Sequence, residues 1–281
     1  MSEVPARQGP VAHAGLPLFE SISGLLEAFD GPRLPDARHL DALLQRCAPH
    51  AASGAGRPIR FVPPRTDISA YEAHIHATGE VPTRADDWHD FFNALAWCVW
   101  PLSKAACNAA HVRVQQARAL TASPGRGRHR DALTQFDECG MVVACADADI
   151  AALLAAHAWE EAFWHRRARL MQTTRFMVFG HGTWDQLRAP FFGLCAKVLY
   201  RVIEPACLAL PIAERQAETD AWLAGRLADP AFLATPRDLS PLPLLGIPGV
   251  TSASEAADYY RDTRQFRPPG NRPAAEPGAI D

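Results

Sequence analysis

The amino-acid sequence predicts an α+β protein, predominantly α-helical with a small sheet, folded as a single large domain. Helical spacing of apolar residues recurs through most of the chain, while only a few short apolar runs bounded by turn residues read as strands. A chain of 281 residues, 48% hydrophobic and 21% charged, is long enough to bury one sizeable core. No internal repeat divides it. The expected organisation is a flexible segment over residues 1–17, a globular domain over 18–267 and a disordered tail over 268–281.

Taken in order, Leu18, Ile22, Leu25, Leu26 and Phe29 have helical spacing, and Asp36 is placed to cap a second helix through Leu40, Leu43 and Leu44. Residues 51–56 read as a loop. Ile59, Phe61 and Val62 read as a short strand stopped by Pro63 and Pro64. A helical turn over 71–75 and a connector over 79–84 lead to a long apolar stretch in which Asp86 or Asp87 caps a helix starting near Trp88. Pro101 lacks the amide that would bond to Trp97 and pushes Trp100 out of helical geometry, so a kink or a division into two helices is expected there. Residues 123–130 read as a Gly- and Arg-rich loop, 140–145 as a strand, and Asp147 as the cap of the following helix. Helical spacing resumes over 159–170. Residues 175–179 form a second buried strand, ended by Gly180-His181-Gly182, with a helix opening at Thr183. Residues 187–210 read as mostly helical, 239–249 as an extended Pro- and Gly-rich segment and 254–261 as a short helix.

Composition narrows the function. A formal charge of -3 and a pI near 6.4 give no global attraction to nucleic acid or anionic lipid. The arginines of 126–130 and 165–169 are read as solvated surface. The longest apolar stretch, 91–102, is interrupted by Asn93 and falls short of the ~20 residues needed to cross a bilayer, and no secretory signal is read at the N-terminus. Seven cysteines without a Cys-x-x-Cys argue against a disulfide framework or a zinc ribbon, so a cytoplasmic setting is expected. Gly-x-Gly-x-x-Gly, phosphate-loop and Gly-x-Ser-x-Gly motifs are absent, so the common nucleotide and serine-hydrolase sites are unsupported and the cofactor stays open. His74 and His76 share a face only on a strand, whereas their segment reads as helical.

One pattern stands apart. His89 and Asn93 are spaced by four before the proline, and Lys104, Asn108 and His111 by four and three after it, among Phe91, Phe92, Leu95, Val99 and Leu102. Of the 28 basic residues 26 are arginine, a bias that suggests a GC-rich bacterial genome; lysine occurs only at 104 and 197, and asparagine only at 93, 108 and 271. The row therefore concentrates residues that the chain otherwise avoids. Buried without partners, each amide or imidazole would cost about 1–3 kcal/mol and an ammonium more, so carboxylates such as Asp90, Asp137 and Glu138 are its natural partners.

Three functions are open to such a row. In the first, an enzyme acts on a small anionic substrate: Lys104 and Arg84 hold the anion, Asn93 and Asn108 orient it, and His111 or His89 moves protons. Asp137 and Glu138 are an acid/base pair or a turn, and His181, set between glycines where strand meets helix, is placed to face a ligand. In the second, a metal-dependent hydrolase uses His89, His111, Asp137 and His181 as ligands, with Lys104 paired to Glu138. An ammonium beside two histidines repels a divalent cation and tilts the choice toward the anion. In the third, the row is the structural polar network of a non-catalytic binding or scaffold protein.

The motifs Tyr71-Glu72, 79–84 (GEVPTR), 88–97 (WHDFFNALAW), Pro101, Lys104, Asn108, His111, Asp131-x-Leu-Thr134 and Asp137-Glu138-x-Gly140 resemble a bacterial family catalogued as domain of unknown function 3025. Phe179-Gly-His181, 243–249 (PLLGIPG) and Tyr260 through Phe266-Arg-Pro268 extend the resemblance over roughly residues 18–268. It implies a bacterial cytosolic protein and supplies no reaction. Cys139 falls at the variable position of the Asp-Glu-x-Gly motif and takes no role.

Overall fold

The computed structural model describes residues 9–64, 70–121 and 127–268. The tail beyond 268, residues 1–8 and residues 123–126 of the expected loop lie outside the described residues. After a 3-10 turn at Glu20–Ile22 come α1 (Ser23–Leu26), α2 (Ala37–Cys47), β1 (Arg60–Val62), α3 (Tyr71–Thr78) and β2 (Glu80–Pro82). The central helices are α4 (Trp88–Val99), α5 (Pro101–Thr121) and α6 (Arg128–Cys139), leading into β3 (Gly140–Cys145) and α7 (Ala148–Ala155). A π-helical turn at Glu161–His165 precedes α8 (Arg167–Thr173), β4 (Thr174–Val178), α9 (His181–Leu187), β5 (Cys195–Val202), α10 (Pro205–Leu208), α11 (Ile212–Ala228) and β6 (Ser240–Pro243). The fold is α+β and mostly helical.

The caps read from the sequence form as expected. The Asp36 carboxylate accepts from the His39 amide, that of Asp87 from Asp90, and that of Asp147 from Asp149 and Ile150, each satisfying amides that a first helical turn leaves open. β3 is buried along its whole length and sits inside a four-stranded sheet of order β4-β3-β5-β6, antiparallel to β4 and parallel to β5. β6 closes the edge, where Pro241 and Pro243 cost the sheet nothing on its open side.

Four expectations are corrected. Residues 187–210 are not mostly helical: β5 runs through them between β3 and β6, because its Val198, Leu199 and Tyr200 gain more from pairing on both sides than helical spacing offers. The connector 79–84 holds β2, which pairs in parallel with β1 in the register Arg60↔Glu80, Phe61↔Val81. The expected loop 123–130 ends early, since α6 already begins at Arg128. The segment 18–29 is divided between a 3-10 turn and the single turn α1. α11 carries no apolar stripe to announce it, because its buried face includes Arg215, Gln216, Thr219 and Asp220 beside Leu223 and Leu227.

That polar face has a task. At Trp100 the chain leaves helical geometry (φ -127°, ψ 44°), and Pro101 starts α5. The Gln216 side chain donates to the Val99 carbonyl at 2.9 Å, completing the end of α4. The Asp220 carboxylate accepts from the Leu102 and Ser103 amides at 3.0 and 2.8 Å, capping α5 from another helix, while the Ser103 hydroxyl donates to the Asp220 carbonyl. The Trp100 indole, fully buried, donates to the Val178 carbonyl of β4 at 2.8 Å and ties the joint to the sheet. Asp220→Ala would strand two amides at a helix N-terminus, that of the fully buried Ser103 among them. It is expected to lower unfolding stability by about 2–4 kcal/mol, read as a shift of the urea midpoint, with Asp220→Asn intermediate.

Candidate functional site

Each polar stripe of α4 and α5 faces the same space. A cavity of about 430 Å³ lies between α3, α4, α5, α6 and the start of α9. Its walls include Arg84, His89, Asn93, Lys104, Asn108, His111, Asp137, Glu138 and His181, so the residues given a candidate site role in the sequence lie around one space. They are not equally free to act.

Lys104 is almost wholly buried, and its Nζ lies 2.6 Å from the Asp137 Oδ1 and 5.6 Å from the centroid of the Trp97 ring. Burial opposes the charge on both partners. The pairing overcomes it: the Lys104 ammonium holds Asp137 well below the usual carboxylate range, and Asp137 raises Lys104 in return. Lys104 thus pairs with Asp137, not with Glu138, because Asp137 is the residue of α6 turned toward α5. Arg84 is likewise engaged, with its guanidinium held by both oxygens of Asp90 at 2.9 and 2.8 Å and by Asp87 at 3.1 Å. Asn108 accepts from the Gly54 amide and donates to the Glu72 carbonyl and Oε2 at 2.9 and 2.8 Å, so it binds a loop and α3 to α5. Asn93 donates to the Tyr71 hydroxyl at 3.3 Å, and burial raises the Tyr71 phenol far above its ordinary range.

Glu138 and His181 meet at the junction of α6, β3 and α9. The amides of Phe179 and Gly180 both donate to the Gly140 carbonyl at 2.9 Å, which presses the start of α9 against the end of α6. A Cβ at position 180 would lie 2.3 Å from the Gly140 nitrogen, and one at 182 would lie 2.9 Å from the Glu138 carbonyl oxygen. Glycine on both sides of His181 is what lets the imidazole reach Glu138. Its Nε2 stands 3.1 Å from the His89 Nε2 and 3.7 Å from the Glu138 Oε2, and the His89 Nε2 is 3.6 Å from that same oxygen. Behind the ring, the His181 Nδ1 lies 3.9 Å from the Asp137 Oδ2. The two adjacent carboxylates therefore straddle one imidazole. Burial depresses His181 to about 3 and raises Glu138, against the pull of His89 on the latter.

Among the described residues, His89, Glu138 and His181 form the one group of His, Cys, Asp or Glu side chains close enough to share a metal ion. This differs from the ligand set expected from the sequence. Glu138 joins the two histidines, whereas Asp137 is occupied by Lys104, and His111 sits seven residues further along α5, where burial lowers its pKa against the opposing charges of Glu72 and Asp137. Sequence reasoning gave no role to Tyr71, Glu72 or Arg130, which also line the cavity. Arg130 was signalled by spacing, since Arg130, Thr134, Asp137 and Glu138 recur at four, three and one on α6, a helix whose first residues were read as loop and whose remainder was given no reading.

The family described as protein of unknown function (DUF3025) matches residues 59–270, a span that contains every side chain of the cavity. No curated protein and no solved structure matches the chain.

The buried pair makes a sharp prediction. Lys104→Met leaves Asp137 charged and without its cation, and should cost about 3–5 kcal/mol of stability. Adding Asp137→Asn to the same protein should recover most of that loss, because a neutral amide needs no counter-charge. Thermal and urea unfolding of the two variants measure both effects.

Proposed function

The chain belongs to the DUF3025 family, and from that premise we propose that it is a metal-dependent hydrolase whose His89, Glu138 and His181 hold one divalent cation in the cavity wall. The observation that carries this reading is the triangle of donor atoms, with sides of 3.1, 3.6 and 3.7 Å. Bonds of about 2.0–2.1 Å in a tetrahedral shell place neighbouring ligand atoms about 3.4 Å apart. Two histidines and one carboxylate leave coordination positions open to water or substrate.

Charge supports the same reading. An ammonium beside the histidines would repel a cation, yet Lys104 and Arg84 are both neutralised by carboxylates. The cavity wall carries Glu72, Asp90, Asp137 and Glu138 against Arg84, Lys104 and Arg130, so with neutral histidines one negative charge is left over. The Asp137 carboxylate, 3.9 Å from the His181 Nδ1, is too far to hold the ring by a hydrogen bond but puts negative charge behind a ligating imidazole. The acid/base reading on an anion held by Lys104 and Arg84 draws less support, because those cations already have partners.

A bound divalent cation polarises a carbonyl or phosphoryl oxygen and lowers the pKa of water. The chain's own residues supply the rest. His111, kept neutral by burial, adds no positive charge to oppose a bound cation. The Tyr71 oxygen accepts from Asn93, which leaves the phenol hydrogen free for a substrate oxygen.

Metal analysis tests the reading directly. Protein purified without chelators should hold about one equivalent of zinc or manganese, and His89→Ala or His181→Ala should lose it while keeping the circular dichroism of the parent. Ferrous iron in its place would turn the reading from hydrolysis to oxygen chemistry, which the same ligand types serve. Protein that neither contains nor takes up a divalent metal overturns the proposal.

A further inference from the structure

The cavity is longer than its metal corner. Arg130, Thr134, Asp137 and Glu138 lie on one face of α6, and the seven or eight residues separating Arg130 from Asp137 and Glu138 correspond to a rise of about 10–12 Å. α5 runs along α6 in the opposite direction: Lys104 meets Asp137 near one end, and His111 lies within electrostatic reach of Arg130 near the other. The space thus has two poles. One is the corner of His89, Glu138 and His181, and the other is bounded by Arg130 and His111.

The second pole carries charge that the protein does not use. Lys104 and Arg84 are each held by carboxylates, but among the described residues no carboxylate lies within ion-pairing distance of Arg130, which is half-buried in the cavity wall. Glu72, whose charge acts on His111, is engaged by Asn108 instead. His111 is almost fully buried, and its Nδ1 is sealed without a partner, which leaves Nε2 as the ring nitrogen directed at the cavity. A guanidinium fork beside a neutral imidazole N–H is a set of donors with no acceptor.

We propose that Arg130 and His111 form an anion subsite, which binds a carboxylate or phosphate group of the substrate about 10 Å from the bond that is cleaved. The chemical class is a small molecule with an amide, ester or phosphoester link near one end and an anionic group at the other, of a size suited to a cavity of about 430 Å³. The identity of the reacting end rests on the metal-hydrolase reading; the anion subsite does not.

The test is calorimetric titration of the full chain, both as purified and after removal of metal with a chelator. The probes are N-acetylglycine for carboxylate, methyl phosphate for phosphate and N-acetylglycinamide as the neutral control. At least one anionic probe should bind both preparations, and the neutral amide should bind about tenfold more weakly or less. Whichever anion binds more tightly identifies the group. Arg130→Met should weaken that binding about tenfold or more while leaving metal content and circular dichroism unchanged, and Arg130→Lys should restore part of it. Binding that is unaffected by Arg130→Met, that vanishes when metal is removed, or that fails to appear in the parent protein overturns the subsite. Arg130-dependent binding in a protein that takes up no metal leaves the subsite standing and removes the hydrolase reading alone.

Discussion

The arrangement of this protein depends on how the chain is broken at Trp100 and Pro101. A proline there removes one helical hydrogen bond and opens backbone groups on both sides of the break. In the interior those groups need partners, and α11 supplies them, with Gln216 on the carbonyl side and Asp220 on the amide side. The repair fixes the angle at which α5 leaves α4. Because of it, His89 and Asn93 from one helix and Lys104, Asn108 and His111 from the other line the same cavity instead of following one continuous stripe.

A second constraint acts at the far wall. The start of α9 can lie against the end of α6 only because positions 180 and 182 have no side chain. That contact brings Glu138 to His181, and the Lys104–Asp137 pair holds α6 against α5 so that Glu138, not Asp137, is left for the two histidines. The pair is costly to bury, and replacing it with well-packed apolar residues would serve stability as well or better. What it does in this place is settle the electrostatics. It removes the ammonium that would repel a cation, and it puts a carboxylate behind one imidazole. Arg84 is silenced in the same way by Asp90 and Asp87, which leaves Arg130 as the guanidinium of the cavity without such a partner among the described residues.

Much of this was legible along the chain. Helical spacing found α2, α4 and α5, apolar runs found β3 and β4, and Asp36, Asp87 and Asp147 announced their caps, because all of these depend on neighbours within a turn or a strand. The scarce Lys and Asn residues pointed to the cavity before any geometry was known. β5 was misread because a central strand is defined by its partners on either side, and α11 gave no apolar stripe because its buried face binds a helix break with polar groups.

By itself, then, the sequence determined the class of fold, the break at Pro101 and the polar stripe on each side of that break, since periodicity and proline geometry are local properties. Only the tertiary structure decided what those side chains can do. Which carboxylate neutralises Lys104, which one reaches the histidines and which arginine stays free depend on distances between α5, α6 and α9. Residues 33 and 43 positions apart in the chain set them, and Coulomb energy follows separation in space rather than separation in sequence.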